Sequence, residues 1–565
     1  MKRALAIVLA ICMLFGCSAK NQVAETMPPQ ELLPEETPAL LQNDMQEIPY
    51  VSRFDTVTEI QLSDESVSVD GVGETEAVYT SHDIIYYEDK DAYESGYPYG
   101  EGEAYERHSG EEASEHTVVN ITTPGAYRLS GKLSKGQIRI DLGENAYEDE
   151  NAVVELILSN ADITCTVAPA ILFMNVYECD GAWSTDTAKA EVDTTKAGAN
   201  LILEGENTVT GSHVAKIFKD KEGEKKLWKQ DGAIYSYMSM NVYGPGKLDL
   251  TADNEGMDTE LHLTIHGGEI AIRSDNDGIN TNEDGVSVTT INGGNLHMIA
   301  GLGAEGDGID SNGYLVINGG TVVASANPGA DAGLDSDLGS FIHGGTVIAL
   351  GSTMDWAESD SRQVTMNLQF AQNQSSDAAV VVTREDGTVI FAYDPSTDEV
   401  LAEKSRVYSG AVISSPNFHV GEVYNVYVDG EVSGTDVGGI YDVNTVTGYT
   451  GGMQMAYTGT DVRMRPGGMG GMIPPEGIAG EKTQKFDPSQ MKEGQIPAMP
   501  EGERPERPEG MEPGQRPERF DPGEIPWGME QPNGGRDGMG AMDGELNTAF
   551  YMQDKVNFFS GLTKA

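Results

Sequence analysis

The sequence predicts an all-β protein whose centre is a right-handed parallel β-helix, a solenoid, followed by a small antiparallel β-domain. Three observations carry this reading. The phrase Ile-x-Gly-Gly recurs at Ile265, Ile291, Ile317 and Ile342, at intervals of 26, 26 and 25 residues. A bend phrase interleaves with it, at Asp231-Gly232, Glu255-Gly256, Asp277-Gly278, Asp307-Gly308 and Ala332-Gly333, each glycine followed by an apolar residue. Composition agrees: Gly is 68 of 565 residues, about 12% against a usual ~7%, while aromatics are only 7%.

From the N terminus, Lys2 and Arg3 precede an apolar run over residues 4–15, the pattern of an export signal and too short to span a bilayer. It ends in Leu14-Phe15-Gly16-Cys17, which resembles the bacterial lipobox, so residues 1–17 are expected to be a lipoprotein signal peptide with Cys17 the lipidated residue. Two acyl chains suffice for stable anchoring. Residues 18–116 are rich in Glu, Asp, Pro, Ser and Tyr and read as an acidic disordered tether. Residues 117–361 hold the repeats. Residues 362–449 read as the antiparallel β-domain, with a hairpin signal in Val380-Val381-Val382 and Val389-Ile390-Phe391 around Asp386-Gly387. Residues 450–544, which carry 13 of the 25 Pro and 11 of the 23 Met, read as disordered, and residues 545–565 as a closing strand.

A period in the twenties allows a leucine-rich horseshoe or a β-solenoid. The horseshoe needs Leu-x-x-Leu-x-Leu spacing and usually a helical return, whereas period-two alternation fills these runs. Each unit then reads as short strand, Gly-Gly turn, short strand, acidic-Gly bend. Ile265, Ile291, Ile317 and Ile342 would stack, as would Ile270, Leu296, Val322 and Val347, at ~4.8 Å per layer. Less regular coils are expected upstream around Ile138, Leu156 and Leu201, for about ten coils and a rod of roughly 45 Å.

Stacking also builds columns outside the core. With the apolar residue after each bend glycine turned inward, Asp258, Asn280, Asp310 and Asp335 fall in one outward file, and Glu260, Asn282, Asn312 and Asp337 in a second. Like charges ~5 Å apart repel unless bridged, and hard divalent cations accept carboxylate and amide oxygens. Lys plus Arg number 36 against 91 Asp plus Glu, a formal charge of −55, which favours cations as partners and excludes a general nucleic-acid binder. Ca²⁺ is therefore expected along this edge, with Glu255, Asp258, Asp277, Asn280, Asp307, Asp310, Asn312, Asp335 and Asp337 as candidate ligands. The same residue types also form turns and asparagine ladders without metal. Asp275-Asn276-Asp277-Gly278 lacks the later ligands of an EF-hand loop.

Parallel β-helices include pectate lyases and polygalacturonases. Lyase chemistry needs a Lys or Arg base beside Ca²⁺, yet between Thr251 and Ser361 there is no lysine and the sole arginine is Arg273, expected to pair with Asp275 on the surface. Hydrolase chemistry needs two carboxylates at a set separation, which so acidic a chain cannot single out. The histidines show no recurring partner; His266 and His343 replace asparagine in the Gly-Gly turn. Cys165 and Cys179 are open to a disulfide or to free thiols.

The run Thr123-Pro124-Gly125-Ala126-Tyr127-Arg128-Leu129-Ser130-Gly131, then Asp231-Gly232-Ala233-Ile234-Tyr235-Ser236, then Asp307-Gly308-Ile309-Asp310-Ser311-Asn312 and the Asn-Gly-Gly turns, resembles the clostridial-type carbohydrate-binding β-helix lipoproteins. Ala411-Val412-Ile413-Ser414-Ser415-Pro416 and Gly421-Glu422-Val423-Tyr424 are similar to the β-module that follows the helix there. The resemblance implies a bacterial surface protein that binds cellulose or acidic sugar polymers and holds calcium. The departures are Ala332 before the last bend glycine and Asn280 where aspartate is usual.

The reading is thus a non-catalytic, Ca²⁺-dependent polysaccharide binder, a monomer, lipid-anchored on the extracellular face of a bacterial membrane, with cellulose or a uronic-acid polymer as partner and no nucleic acid. Tyr314 and Trp356 are the candidate sugar-stacking residues. The rival readings are a pectate-lyase-like enzyme and a structural adhesin or cell-envelope spacer.

Overall fold

The computed structural model describes residues 50–87, 106–181, 185–215, 230–396, 398, 400–401, 406–460 and 546–565. Cys17 and most of the Pro/Met-rich stretch lie outside the described residues. Regular structure within them is almost entirely strand; Gly110–Ser114 forms one helical turn, capped by the Ser109 side chain, and Ala146–Glu148 a 3-10 turn. No helix of the described residues is long and apolar enough to cross a membrane.

Three parallel ladders organise the repeats. The bend ladder runs Thr117–Ile121, Gly136–Asp141, Ile171–Asn175, Gly232–Ser236, Glu255–Thr259, Ile279–Thr281, Ile309–Ser311 and Leu334–Ser336, eight parallel strands closed at one edge by antiparallel Val78–Ser81. A second ladder runs from Val57–Leu62 through Gly125–Leu133, Val154–Thr164, Ala199–Glu204, Met240–Tyr243, Leu263–Ile265, Val288–Ile291 and Tyr314–Ile317 to Gly339–Ile342. A third runs from Glu206–Gly211 through Lys247–Ala252, Glu269–Ser274, Asn295–Ile299 and Thr321–Ser325 to Thr346–Gly351. From Ala199 on, each coil thus supplies three strands rather than the expected two, while in the coils before it one long strand, Gly125–Leu133 or Val154–Thr164, serves both faces. The bend itself is a strand, at three residues too short for alternation to reveal it. Among the described residues the bend ladder stacks eight parallel strands and the second ladder nine, against the expected ten coils.

Register follows the repeats. Ile265 pairs with Ile291, Ile291 with Ile317 and Ile317 with Ile342. Ile270, Leu296, Val322 and Val347 form a matching file. With the Met257, Ile279, Ile309 and Leu334 file of the bend ladder they fill one core, almost wholly removed from solvent. A one-residue slip would turn every such file to the other face, which fixes the register.

Glycines explain why the coils sit so close. A Cβ on Gly256 would lie 2.5 Å from the Gly278 carbonyl oxygen, one on Gly278 2.5 Å from that of Gly308, and one on Gly308 2.5 Å from that of Gly333. The bend glycines therefore stack on one another, and no other residue fits. At the second glycine of the Gly-Gly turns the backbone takes φ of +103°, +89°, +81° and +87° at Gly268, Gly294, Gly320 and Gly345, a region open to glycine at little strain.

Part of the expected tether is structured. Val57–Leu62 runs parallel to Gly125–Leu133, and Val78–Ser81 extends the bend ladder. Ile60 and Leu62 turn inward while Glu59 and Gln61 face water, a period-two pattern masked by acidic composition. At the other end, Val407–Ser414 pairs antiparallel with the last third-ladder strand, from Val347 with Ser414 to Gly351 with Gly410, and so covers its open edge. Arg406 is buried and donates to the carbonyls of Gly301, Ala300 and Ala326, tying this module to the coils. A second core around Val380, Ile390, Phe391, Tyr424 and Val426 lies beyond, joined by Val556–Lys564, which runs parallel to Thr365–Ser375.

Candidate functional site

The bend ladder aligns the candidate ligands. Tyr235 pairs with Asp258, Asp258 with Asn280, Asn280 with Asp310 and Asp310 with Asp335, one residue per coil. The second file follows two residues on, where Asn282 Nδ2 donates to Asp258 Oδ1 at 2.6 Å and Asn312 Nδ2 to the Asn282 carbonyl at 2.9 Å. The acids before the bend glycines reach across coils: Asp277 Oδ1 accepts the Asp307 backbone N–H at 2.6 Å, and Asp307 Oδ1 accepts that of Ala332.

At the Asp258 end, Asp231, Glu255 and Asp258 bring three carboxylate oxygens within 4.8 Å of one another, all three residues buried. Glu255 Oε1 accepts from Asn280 Nδ2 at 3.1 Å, while Glu255 Oε2 and Asn280 Oδ1 are buried with no hydrogen-bond partner. A buried polar atom left unpaired is costly. Several hard oxygens converging with two of them unsatisfied fit a divalent cation. Asp231 was missed as a ligand although it opens the same bend phrase one coil earlier. The outward file is also more enclosed than the alternation implied: Asp258 is 0% exposed and Asn280 5%. Side-chain direction is legible in the sequence, but what lies over a face is not.

Electrostatics extend the site along the file. Burial, then the charges of Glu255, Asp310 and Asp307, holds the Asp277 carboxyl well above the usual carboxylate range. Burial pushes Asp307 up to about 8 against the Ala332 N–H bond, with the charges of Asp335, Asp310 and Asp331 adding to the rise. Glu283 rises to about 7 through burial and the charges of Glu260 and Asp284. Asp335 and Asp337 are raised as well, first by burial. Burial is the first cause of each rise, and the neighbouring charges that add to it at Asp277, Asp307 and Glu283 are carboxylates.

The aromatic candidates lie apart from the upper cluster. Tyr314 belongs to the second ladder, half-buried, its ring 6.2 Å from Phe341. Trp356 packs partly into the core and edge-on to Phe558, with its Nε1 unpartnered. It lines a cleft at the last coil with Ser336, Asp337, Leu338 and Phe558, and only there does a predicted aromatic meet a predicted acid. Arg273 does not pair with Asp275: its guanidinium lies 3.6 Å from Asp398, supplied by the C-terminal module and invisible to local spacing. In the Gly-Gly turns, Asn318 Nδ2 donates to Asn292 Oδ1 at 2.8 Å, Asn292 Nδ2 lies 3.4 Å from His266 Nδ1, and His266 stacks on Tyr243 at 4.4 Å, a polar ladder. Cys165 and Cys179 are free thiols.

The fold and site define a stacked-coil β-protein with a buried acidic file along its bends. Residues 115–414, more than half of the chain, match the family described as carbohydrate-binding domain-containing protein, and the chain belongs to that family. A protein of the same description from Acetivibrio thermocellus is 30% identical over 157 residues, 28% of this chain and 45% of that one, so the chain spans under half the length of this relative. A solved structure described as a polysaccharide lyase-like protein from C. thermocellum, a gadolinium derivative, aligns over 51% of this chain and 93% of its own, at 21% identity and a TM-score of 0.31.

Proposed function

We propose that this chain is a non-catalytic, Ca²⁺-dependent polysaccharide-binding lipoprotein, held by Cys17 on the outer face of a bacterial membrane. We read its three parallel ladders as a right-handed β-helix, the hand that parallel crossovers adopt almost without exception. Family membership supports carbohydrate as the partner. The observation that carries the calcium reading is the buried Asp231, Glu255 and Asp258 cluster with Glu255 Oε2 and Asn280 Oδ1 unsatisfied beside it. Calcium there would neutralise the converging carboxylates. Along the file, Asp277, Asp307, Asp310, Asp335 and Asp337, with Asn312 beside them, offer further oxygens at a one-per-coil repeat. Bound cations would meet sugar hydroxyls or uronate carboxylates at that repeat, and would let a chain of formal charge −55 bind an acidic polymer. The engagement of Arg273 with Asp398 favours binding over lyase chemistry, since that chemistry needs a free base.

Affinity gels containing polygalacturonate or a soluble cellulose derivative test the reading. Retardation that is lost in EDTA and restored by Ca²⁺, with no unsaturated or reducing products, is the expected result. Retardation indifferent to EDTA would refute calcium bridging. Product formation would favour the enzyme, and no retardation on any gel the spacer.

A further inference from the structure

The C-terminal module holds a cleft of about 560 Å³ that the acidic file does not explain. Its walls come from the hairpin Val380–Arg384 and Val389–Tyr393, the neighbouring strand Val423–Val428, and the small antiparallel pair Glu431–Ser433 and Gly448–Thr450. In a chain of formal charge −55, every residue lining it is uncharged, Thr383, Thr388, Tyr427, Thr447 and Tyr449 prominent among them.

Local structure explains the two tyrosines. Along Val423–Val428 the residues Tyr424, Val426 and Val428 are buried, so alternation turns Tyr427 outward, half-exposed. Tyr449 meets it edge-on, ring centres 5.8 Å apart at 70°. The Tyr449 hydroxyl donates to the Asp429 carbonyl at 2.8 Å and crosses Gly452, where any Cβ would collide with it. The Tyr449 ring is therefore fixed before a ligand arrives, with Tyr427 packed against its edge, which lowers the entropy lost on binding. Thr383, which also lines the cleft, is 4% exposed, and its Oγ1 is buried with no hydrogen-bond partner.

We infer that this cleft is a second carbohydrate site, for a neutral oligosaccharide, working without calcium. Aromatic side chains accept the apolar faces of sugar rings. Threonine hydroxyls both donate and accept, as sugar hydroxyls require, and Thr388, Thr447 and Thr450 present theirs from exposed positions of the lining. A charged ligand is disfavoured, because the lining offers no counter-charge to offset its desolvation. The volume suits a ligand of a few sugar rings. The family match ends at residue 414, so Tyr427, Thr447 and Tyr449 lie beyond it.

Calorimetric titration of the full chain in EDTA with cellohexaose and mannohexaose, and with hexagalacturonate as the charged control, tests this. One neutral hexasaccharide binds and hexagalacturonate does not. Tyr427→Ala weakens binding at least tenfold, Tyr427→Phe by less than about threefold. Thr447→Glu, a charge placed at an exposed rim position, weakens it similarly with the melting curve unchanged. Failure of both neutral sugars overturns the inference, as does binding that survives both Tyr427→Ala and Thr447→Glu. Because EDTA silences the acidic file, either outcome leaves calcium-dependent binding of polygalacturonate to be judged separately.

Discussion

Replacing Glu255 by Gln tests the acidic cluster from both sides at once. Its oxygen and those of Asp231 and Asp258 lie within 4.8 Å. At that distance two full charges repel by about 3.5 kcal/mol at an effective dielectric near 20, and Glu255 faces two such neighbours. Glutamine keeps an oxygen to accept from Asn280 Nδ2, and its amide places a donor where Oε2 had no partner. Relief of even a third of the two-pair repulsion stabilises the metal-free protein by on the order of 2 kcal/mol, a Tm rise of roughly 2–3 °C for a fold of this size. Calcium acts in the opposite direction. At a hundred times its Kd it stabilises the wild type by about 2.7 kcal/mol, and the variant, short of one anionic ligand, loses most of that. Thermal melts by circular dichroism in EDTA and in Ca²⁺ should therefore cross, with Glu255→Gln melting above wild type in EDTA and below it in Ca²⁺. A variant that melts lower in EDTA, or keeps the full calcium shift, would refute the argument that these carboxylates are strained until a cation joins them.

Three further outcomes are expected. Gly278→Ala places a Cβ 2.5 Å from the Gly308 carbonyl oxygen and 3.3 Å from Met298 Cβ. Overpacking of about 1–3 kcal/mol should lower the Tm by several degrees, and an unchanged melt would contradict the stacked bends. Asp307, pushed up to about 8, is protonated in the metal-free fold across the neutral range. Its folded value lies above the unfolded one, so its contribution to stability in EDTA is present at low pH and lost as pH climbs towards about 8. Ca²⁺ affinity, read by terbium luminescence competition, should rise over the same window, and Asp307→Asn should flatten that rise. For His213, burial pulls the imidazole pKa down, but the hydrogen bond and charge of Asp253, 2.9 Å away, and the charge of Glu106 raise it overall. The imidazolium therefore stabilises the fold below the ordinary value of 6.5, and that stabilisation is lost as pH rises through the folded value. Wild type should lose more Tm than His213→Gln as pH rises from below 6.5 through the raised folded value; parallel profiles would remove His213 from the account.

The sequence by itself determined the register of the coils. Repeated phrases at intervals of 25 and 26 residues can bury their apolar letters only by stacking like on like, and the files of Ile265, Ile270 and Met257 follow. It likewise determined that Asp258, Asn280, Asp310 and Asp335 share one file, because a strand's side chains alternate. Only the tertiary structure decided how deeply that file is covered, that Asp231 joins Glu255 and Asp258, and that Arg273 meets Asp398. It also decided that Val57–Leu62 belongs to the coils, and that Tyr427 and Tyr449 line a cleft together with Thr383. The physical reason is range. Periodicity reports contacts between a residue and its equivalent one turn away, whereas burial, ion pairs and clefts arise between segments that share no period and meet only when the chain has closed on itself.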